Sequence, residues 1–411
     1  MNLEYFIAKR LITAKDYKSS ISAPIIKIAI SAIAIGIIMM LVSVATGIGL
    51  QKKIREKVSA FNGQIIISNY DNNNSDVTLI PISKKQDFYP NFKSVPEVSH
   101  IQAVASKAGI IRTENAFEGI IFKGVGADYK WDNIGEYLAE GKLPDFSKTL
   151  NEEVIISKFL ADRLNLKVGD NFNTFFIKEE QGKLPNSRRF KIVGLFNSGF
   201  QNFDATYIIG DIRHIQRINK WAPDQVGAFE VFVKDFKNIK ITGDQIYEQT
   251  SSSLDTKTII EKYGYIFDWL QLFDFNIIII LAVMILVATI NMVVALLVLI
   301  LERTQMIGIL KSLGANNWTV RKVFLYNAFY LIIRGLFWGN LIGISILIIQ
   351  QQFGVVQLNP ENYYVNEAPV YLNWGYVVLL NLLTITVCFL VLLIPSYIIT
   401  KISPVKAIRF D

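Results

Sequence analysis

The sequence predicts a membrane α-helical protein: four transmembrane helices, with a large α+β extracytoplasmic domain inserted between helices 1 and 2. Three observations predict it. Four apolar stretches stand at residues 24–50, 277–301, 323–349 and 377–399. Each has about the 20 residues an α-helix needs to cross a bilayer. The segment 51–275 between the first two is polar, mixed and punctuated by glycine, as in a water-soluble domain. Finally, 51% of the 411 residues are hydrophobic and the mean hydropathy is +0.33, high for a soluble chain of this length.

Charge gives the orientation. The formal net charge is +7, and the basic residues are concentrated. Lys9, Arg10, Lys15, Lys18 and Lys27 precede or open the first span, and Arg303, Lys311, Arg321 and Lys322 lie between the second and third. Lys401, Lys406 and Arg409 follow the fourth. Residues 350–376 hold no Lys or Arg. Short loops rich in Lys and Arg stay cytoplasmic. Residues 1–23, the loop 302–321 and the tail 400–411 are therefore expected inside, with the domain 51–275 and the loop 350–376 outside. Lys52, Lys53, Arg55 and Lys57 run against this scheme. They are discounted because long domains translocate largely regardless of charge.

The basic balance thus reads as topology rather than nucleic-acid binding, for no basic stripe with interleaved aromatics occurs in the soluble part. Cys388 is the only cysteine and lies in the fourth span, so the outer domain must stand on its own core without a disulfide. In that apolar setting it reads as a small buried hydrophobe. The first apolar stretch is too long for a signal h-region, and no A-x-A site follows it, so it reads as a retained span.

Along the chain, Leu3, Phe6, Ile7, Arg10, Leu11 and Ala14 fall near helical spacing, giving an amphipathic helix at the inner interface. The first span continues as a stalk, with Ile54, Val58 and Phe61 on one face, to a turn signal at Asn62-Gly63. Strands are expected in 64–68, 98–122, 152–157, 172–177, 190–195, 206–209 and 229–233. Helices are expected in 158–166, with Phe159, Leu160 and Leu164 on one face, in 212–218, and from about Thr242 to Ser252.

Gly335, Gly339 and Gly343 stand four apart in the third span. Small residues at that spacing let two helices approach closely in lipid, and the register held over three positions favours a packing seam. Arg334 lies deep in the same span and should face protein or water, because a central charge costs about 2.5–3.5 kcal/mol on insertion scales. Structural pairing is favoured for it over a part in substrate passage.

Catalytic chemistry is missing. No G-x-x-x-x-G-K-[ST] loop is present, so ATP is not bound in the P-loop manner. Gly124-Val125-Gly126 lacks the third glycine of a dinucleotide site. His100 and His214 are the only histidines and lie far apart, and no Cys/His cluster offers a zinc site. No G-x-S-x-G elbow occurs. The chain is expected to be a non-catalytic subunit, with no cofactor of its own and its energy supplied by a partner.

The loop 302–321 is the most specific segment. Met306, Ile309, Leu310 and Leu313 fall at i, i+3, i+4 and i+7, a short amphipathic helix. Gly314 is placed as its C-terminal cap, and Asn316 or Asn317 as the cap of the helix that follows. Such a helix suits docking into a groove on a soluble partner, or resting on lipid headgroups.

The stretch Glu302, Arg303, Met306, Ile307, Gly308, Ile309, Leu310, Lys311, Leu313, Gly314, Ala315 resembles the E-R-x-x-E-I-G-I-L-K-A-L-G-A motif of the FtsX-like ABC permeases. Met306 stands for the usual Glu and Ser312 for the usual Ala. The resemblance implies a coupling helix gripped by an ABC ATPase subunit, present in two copies, that binds the ATP and Mg. The tail Pro404-Val405-Lys406-Ala407-Ile408-Arg409 resembles that family's terminal P-x-x-A-[IL]-R.

The outer domain is similar to that of the lipoprotein-releasing permeases of the LolC/LolE type, in residues 55–67, 123–128, 153–170 and 182–194. That likeness implies a bacterial inner-membrane protein with a MacB-like periplasmic core. It also implies a second permease chain, identical or paralogous, lipoprotein cargo and a periplasmic carrier. The tip with Glu180, Gly182, Lys183, Leu184, Pro185 and Arg188 reads as either an apolar knob for that carrier or a plain solvated hairpin. Val44, Ile48, Leu286 and Ile290 are expected to line a lipid path between the first span of one protomer and the second of the other. A MacB-type efflux permease and an FtsX-type signal transducer are the rival readings.

Overall fold

A computed structural model of the chain describes residues 3–13, 22–72, 75–113, 116–147, 149–176 and 185–403. Glu180, Gly182, Lys183 and Leu184 of the expected hairpin tip, and the terminal motif at 404–409, lie outside the described residues. The chain divides into two units. One comprises Met1–Gln51, Trp269–Gln357 and Glu367–Asp411; the other comprises Lys52–Asp268 and Leu358–Asn366.

The first unit is helical. Among the described residues, four helices are long and apolar enough to cross a membrane: Ser22–Asn62, Gly264–Glu302, Asn317–Phe353 and Trp374–Ser396. The first does not stop at its apolar stretch but runs on to Asn62, where Gly63 turns the chain with φ +70°. A side chain there would stand 2.7 Å from Glu230 Cβ, so the turn requires glycine.

Ile33, Ile37, Met40, Met292, Ile300, Phe324, Ile332 and Leu392 fill the bundle core, and Cys388 is buried among them. The third long helix seats its glycines on the first. A Cβ at Gly335 would stand 2.7 Å from Ile33 Cβ, and one at Gly339 2.9 Å from the Ala34 carbonyl. At Gly343 it would stand 3.4 Å from Ile38 Cα. Asn340 and Asn381 then tie the third helix to the fourth through reciprocal amide hydrogen bonds of 2.6 and 2.9 Å. The short helix Leu3–Thr13 packs on the third long helix: Tyr5 meets Tyr326 edge-on, and Glu4 lies 3.5 Å from Lys322. It therefore has a protein surface beneath it as well as the interfacial spacing read from the sequence.

The second long helix behaves differently. Half (50%) of the most apolar window of the first helix is buried in the chain, against 11% for the second.

The second unit is built on strands β1 (Ile65–Asn69), β2 (Ile82–Ser83), β3 (Val98–Arg112), β4 (Phe117–Val125), β5 (Leu138–Gly141) and β6 (Glu153–Ser157). They continue with β7 (Asn171–Phe176), β8 (Asn186–Phe196), β9 (Tyr207–Asp211), β10 (Gln225–Val226), β11 (Ala228–Val233) and β12 (Leu254–Thr258). Among the described residues, ten of these form one mixed sheet, ordered β12-β1-β11-β3-β4-β9-β6-β8-β5, with β7 bridging β3 and β8. That bridge closes β3, β4, β9, β6, β8 and β7 into a ring. A long β3 makes this possible, pairing with β11 by its first half and with β4 and β7 by its second. Phe122, Phe176 and Phe190 meet at its core, with Phe122 stacked 5.0 Å from Phe190.

Several local expectations need correction. In the helix Lys158–Leu164 the buried face is Leu160, Ala161 and Leu164, while Phe159 is turned out beside Arg163. The Ser157 hydroxyl caps this helix by accepting from the Leu160 N–H, which sets its phase. The later helix is Ile239–Gln249, because turn residues 250–253 end it and β12 follows. β5 and β12 were not foreseen; both are short, polar edge strands, and their sequences carry little apolar alternation.

Candidate functional site

The loop between the second and third long helices folds as a helix, Thr304–Ser312. Its C-terminus is a Schellman closure: Gly314, at φ +94°, donates to the Lys311 carbonyl and Ala315 donates to that of Leu310. The Asn316 side chain accepts from the Thr319 N–H at 2.8 Å and starts the third long helix. Arg303 precedes the first residue of the helix, and Glu302 ends the second long helix.

The apolar stripe read from the sequence is split. Ile307 and Gly308 are buried in the bundle, and Met306, Leu310 and Ala315 pack partly against it. Ile309 and Leu313 point the other way, 46% and 79% exposed. Successive helical residues turn by about 100°, so a stripe at i, i+3, i+4 and i+7 is wide enough to be shared between two faces. Met306 and Leu310 therefore hold the helix to its own chain, and the free apolar edge is Ile309 with Leu313.

Lys311 is also turned inward. Its Nζ donates to the carbonyls of Ile399 at 2.6 Å and Ile402 at 2.9 Å, at the end of the helix Ile398–Lys401. Burial of the ammonium holds its pKa below the ordinary 10.5.

The other sequence-predicted residues scatter. Val44 is buried in the bundle core and so lines no outer path, while Ile48 is half-buried and packs partly against that core. The first helix must turn its most apolar face toward the third, and Val44 belongs to that face. Leu286 and Ile290 do stand on an exposed face of the second helix. Arg334 is exposed on the third long helix, with its guanidinium 4.5 Å from the Tyr330 ring centre. Arg188 is not in a tip at all: it pairs with Thr174 inside the β7–β8 ladder, and Pro185 is exposed just before it. The ladder reaches Phe176 and Asn186.

Sequence reasoning missed a buried ion pair in the second unit. Lys123 Nζ lies 2.5 Å from Glu230 Oε1 and also donates to the Phe61 carbonyl, while Gln102 holds the other carboxylate oxygen at 2.8 Å. The pair forms part of the wall of a cavity of about 730 Å³ bordered by Lys57, Phe203, Tyr207, Lys262 and Tyr263. The pairing joins β4 to β11, two strands separated in the sheet by β3, and no local pattern announces it. Among the described residues no group of His, Cys, Asp and Glu side chains could hold a metal ion.

Four apolar helices, a capped helix on the loop between the second and third, and a strand-rich unit define a membrane permease of modular build. The family described as FtsX-like permease C-terminal matches residues 278–404, and that described as MacB-like periplasmic core domain matches residues 28–249. The chain belongs to this FtsX-like, MacB-like superfamily of ABC transporter permeases.

Several relatives are similar over the full length, among them a LolC and a LolE protein. One is the lipoprotein-releasing system transmembrane protein LolC of Neisseria meningitidis serogroup B, 25% identical over 100% of both chains. The other is its LolE counterpart in Haemophilus influenzae, 22% identical over 99% of both. The periplasmic region of MacB from Actinobacillus actinomycetemcomitans aligns with 50% of this chain and 92% of its own, at 14% identity and a TM-score of 0.33, too low to argue from.

Proposed function

We propose that this chain is the membrane subunit of an ABC complex that extracts acylated lipoproteins from the bacterial inner membrane. A separate ATPase, in two copies, binds all the ATP and Mg and docks on the helix Thr304–Ser312 of each permease chain. The observation that carries the motor half is the split helix: one face fastened to the bundle, the other presenting Ile309 and Leu313. A lever must be fixed on one side and gripped on the other. The cargo half rests on the full-length likeness to LolC and LolE.

In this reading the termini are cytoplasmic and the strand-rich unit is periplasmic, where it passes cargo to a carrier. A second permease chain, identical or paralogous, covers the exposed side of the second long helix around Leu286 and Ile290. Ile309→Asp combined with Leu313→Asp should abolish co-purification of the ATPase and leave the permease folded. Depleting the chain should make lipoproteins accumulate in the inner membrane. Unchanged lipoprotein sorting with lost export of small molecules or peptides would replace this reading with a MacB-type efflux role.

A further inference from the structure

The helix Thr304–Ser312 is joined by the chain to the second and third long helices. Its side chains reach a different element. Lys311 donates to the carbonyls of Ile399 and Ile402, at 2.6 and 2.9 Å, and reaches that of Thr400 at 3.5 Å. Ten residues on, Arg321 grips the same region from the first turns of the third long helix. Its Nε and Nη2 donate to Ser396 Oγ at 3.1 and 3.0 Å, and Nη2 also donates to the Leu393 carbonyl at 3.1 Å.

These acceptors are available for a physical reason. Pro395 sits inside the end of the fourth long helix. Next to it the last turn tightens, and the Tyr397 N–H bonds to Ile394 rather than to Leu393. The Leu393 carbonyl is left to Arg321 and to the Ser396 hydroxyl. The short helix Ile398–Lys401 then ends at once, and its terminal carbonyls face Lys311. A cation on backbone carbonyls at a helix C-terminus is a favourable arrangement. Both cations meet carbonyl and hydroxyl oxygens, whose positions are fixed by backbone rather than by a flexible carboxylate.

We infer that Lys311 is a positioning residue that couples the helix Thr304–Ser312 directly to the cytoplasmic end of the fourth long helix, with Arg321 securing the same end from the third, making the fourth span a driven element. This rests on the reading of Thr304–Ser312 as the motor-docking helix. Through Lys311, movement of that helix pulls on the backbone of residues 399–402 without passing through the second or third span. The Pro395 break gives the fourth helix a place to bend.

The chain carries its own reporter. Cys388, its single cysteine, is buried in the fourth long helix with its sulfur 3.8 Å from Thr289 Oγ1. The native complex is purified through a tag on this chain, with whatever ATPase it brings. Cys388 labelling by a small maleimide is then followed without nucleotide and after trapping with ATP and vanadate. The wild type should show a nucleotide-dependent change in labelling rate. Lys311→Met should lose that change while the ATPase still co-purifies, because Lys311 faces away from Ile309 and Leu313. Lys311→Arg, which keeps a donor, should restore it in part, and Arg321→Gln should weaken it.

A merely structural role would lower expression and thermal stability together with every readout, and Lys311→Arg separates the two cases. An ATPase that co-purifies with Lys311→Met and still shifts Cys388 as in the wild type overturns this inference alone. So does a wild-type complex in which nucleotide leaves Cys388 unmoved. Absence of any ATPase from the wild-type complex overturns the docking reading and this inference together.

Discussion

The two units of the molecule are held together by different physics, and the difference shows in which residues sit at the closest contacts. The centre of the strand-rich unit is filled by large side chains, Phe122, Phe176 and Phe190, withdrawn from water. Burial of their area drives the folding of that unit. In the helical unit the tight places are filled by the smallest residues, Gly335, Gly339 and Gly343 against the first long helix. Lipid is as apolar as leucine, so burial supplies little there, and close approach of two backbones supplies the attraction instead. Truncating those rings should therefore damage the sheet core, and adding atoms at the glycine seam should damage the bundle.

The sharpest way to break this contrast is Gly339→Leu. The new side chain would start 2.9 Å from the Ala34 backbone carbonyl on one side and 2.9 Å from Ile37 Cβ on the other. Loss of the monodisperse folded protein on size exclusion in detergent is expected, with Gly339→Ala intermediate. A normal profile for Gly339→Leu would show that the seam is not a constraint.

Next in size is the buried pair of the sheet unit. Lys123→Ala leaves the Glu230 carboxylate buried without its cation, which costs about 3–5 kcal/mol. Hydrogen exchange of β4 and β11 amides in the full-length chain should rise accordingly. The double variant Lys123→Met, Glu230→Gln should recover most of the protection, since neither group then carries a charge.

A pH dependence comes third. His214 is buried against Phe190, its Nε2 is 2.9 Å from the Asn151 carbonyl, and its Nδ1 has no partner among the described residues. Burial chiefly lowers its pKa from the ordinary 6.5, opposed by Asn151 and Asp211. The unfolded chain then binds the proton first as pH falls below 6.5. Stability from this residue is complete above that pH and is lost on acidification, by at most about 1.4 kcal/mol per pH unit until the folded-state pKa is reached. Proteolysis of the full-length chain should accelerate below that pH, and His214→Gln should flatten the slope.

The smallest test is also the most direct comparison. Ile192→Val removes one methylene from the sheet core and should cost about 0.5–1.5 kcal/mol in hydrogen-exchange protection. Ile278→Val on the exposed face of the second long helix should cost nothing measurable in the single chain. Equal losses at the two sites would erase the distinction between the units.

Much of the helical unit was legible because its signals are local. Runs of about 20 apolar residues, the Asn62-Gly63 turn, Gly314 as a cap and Asn316 as the next cap need only near neighbours to take effect. The candidate docking helix was legible as a helix but not as a site. Met306 and Leu310 have the same chemistry as Ile309 and Leu313, and apolarity does not say whether a residue faces its own bundle or a partner. Val44 was misassigned for the same reason.

The sequence alone thus determined the number of the long apolar helices, several of the caps that punctuate them, and the glycine register in the third. These follow from backbone geometry and from the cost of placing polar groups in lipid. The second long helix starts at Gly264, well before the apolar stretch that announces it. Only the tertiary structure decided the rest: which helix the glycines receive, that β7 closes β3 and β8 into a ring, that Lys123 finds Glu230, and that Lys311 turns away from solvent to hold the end of the fourth helix. Each of those is a pairing of residues far apart in the chain. It is settled by the packing of whole elements, which no short window of sequence contains.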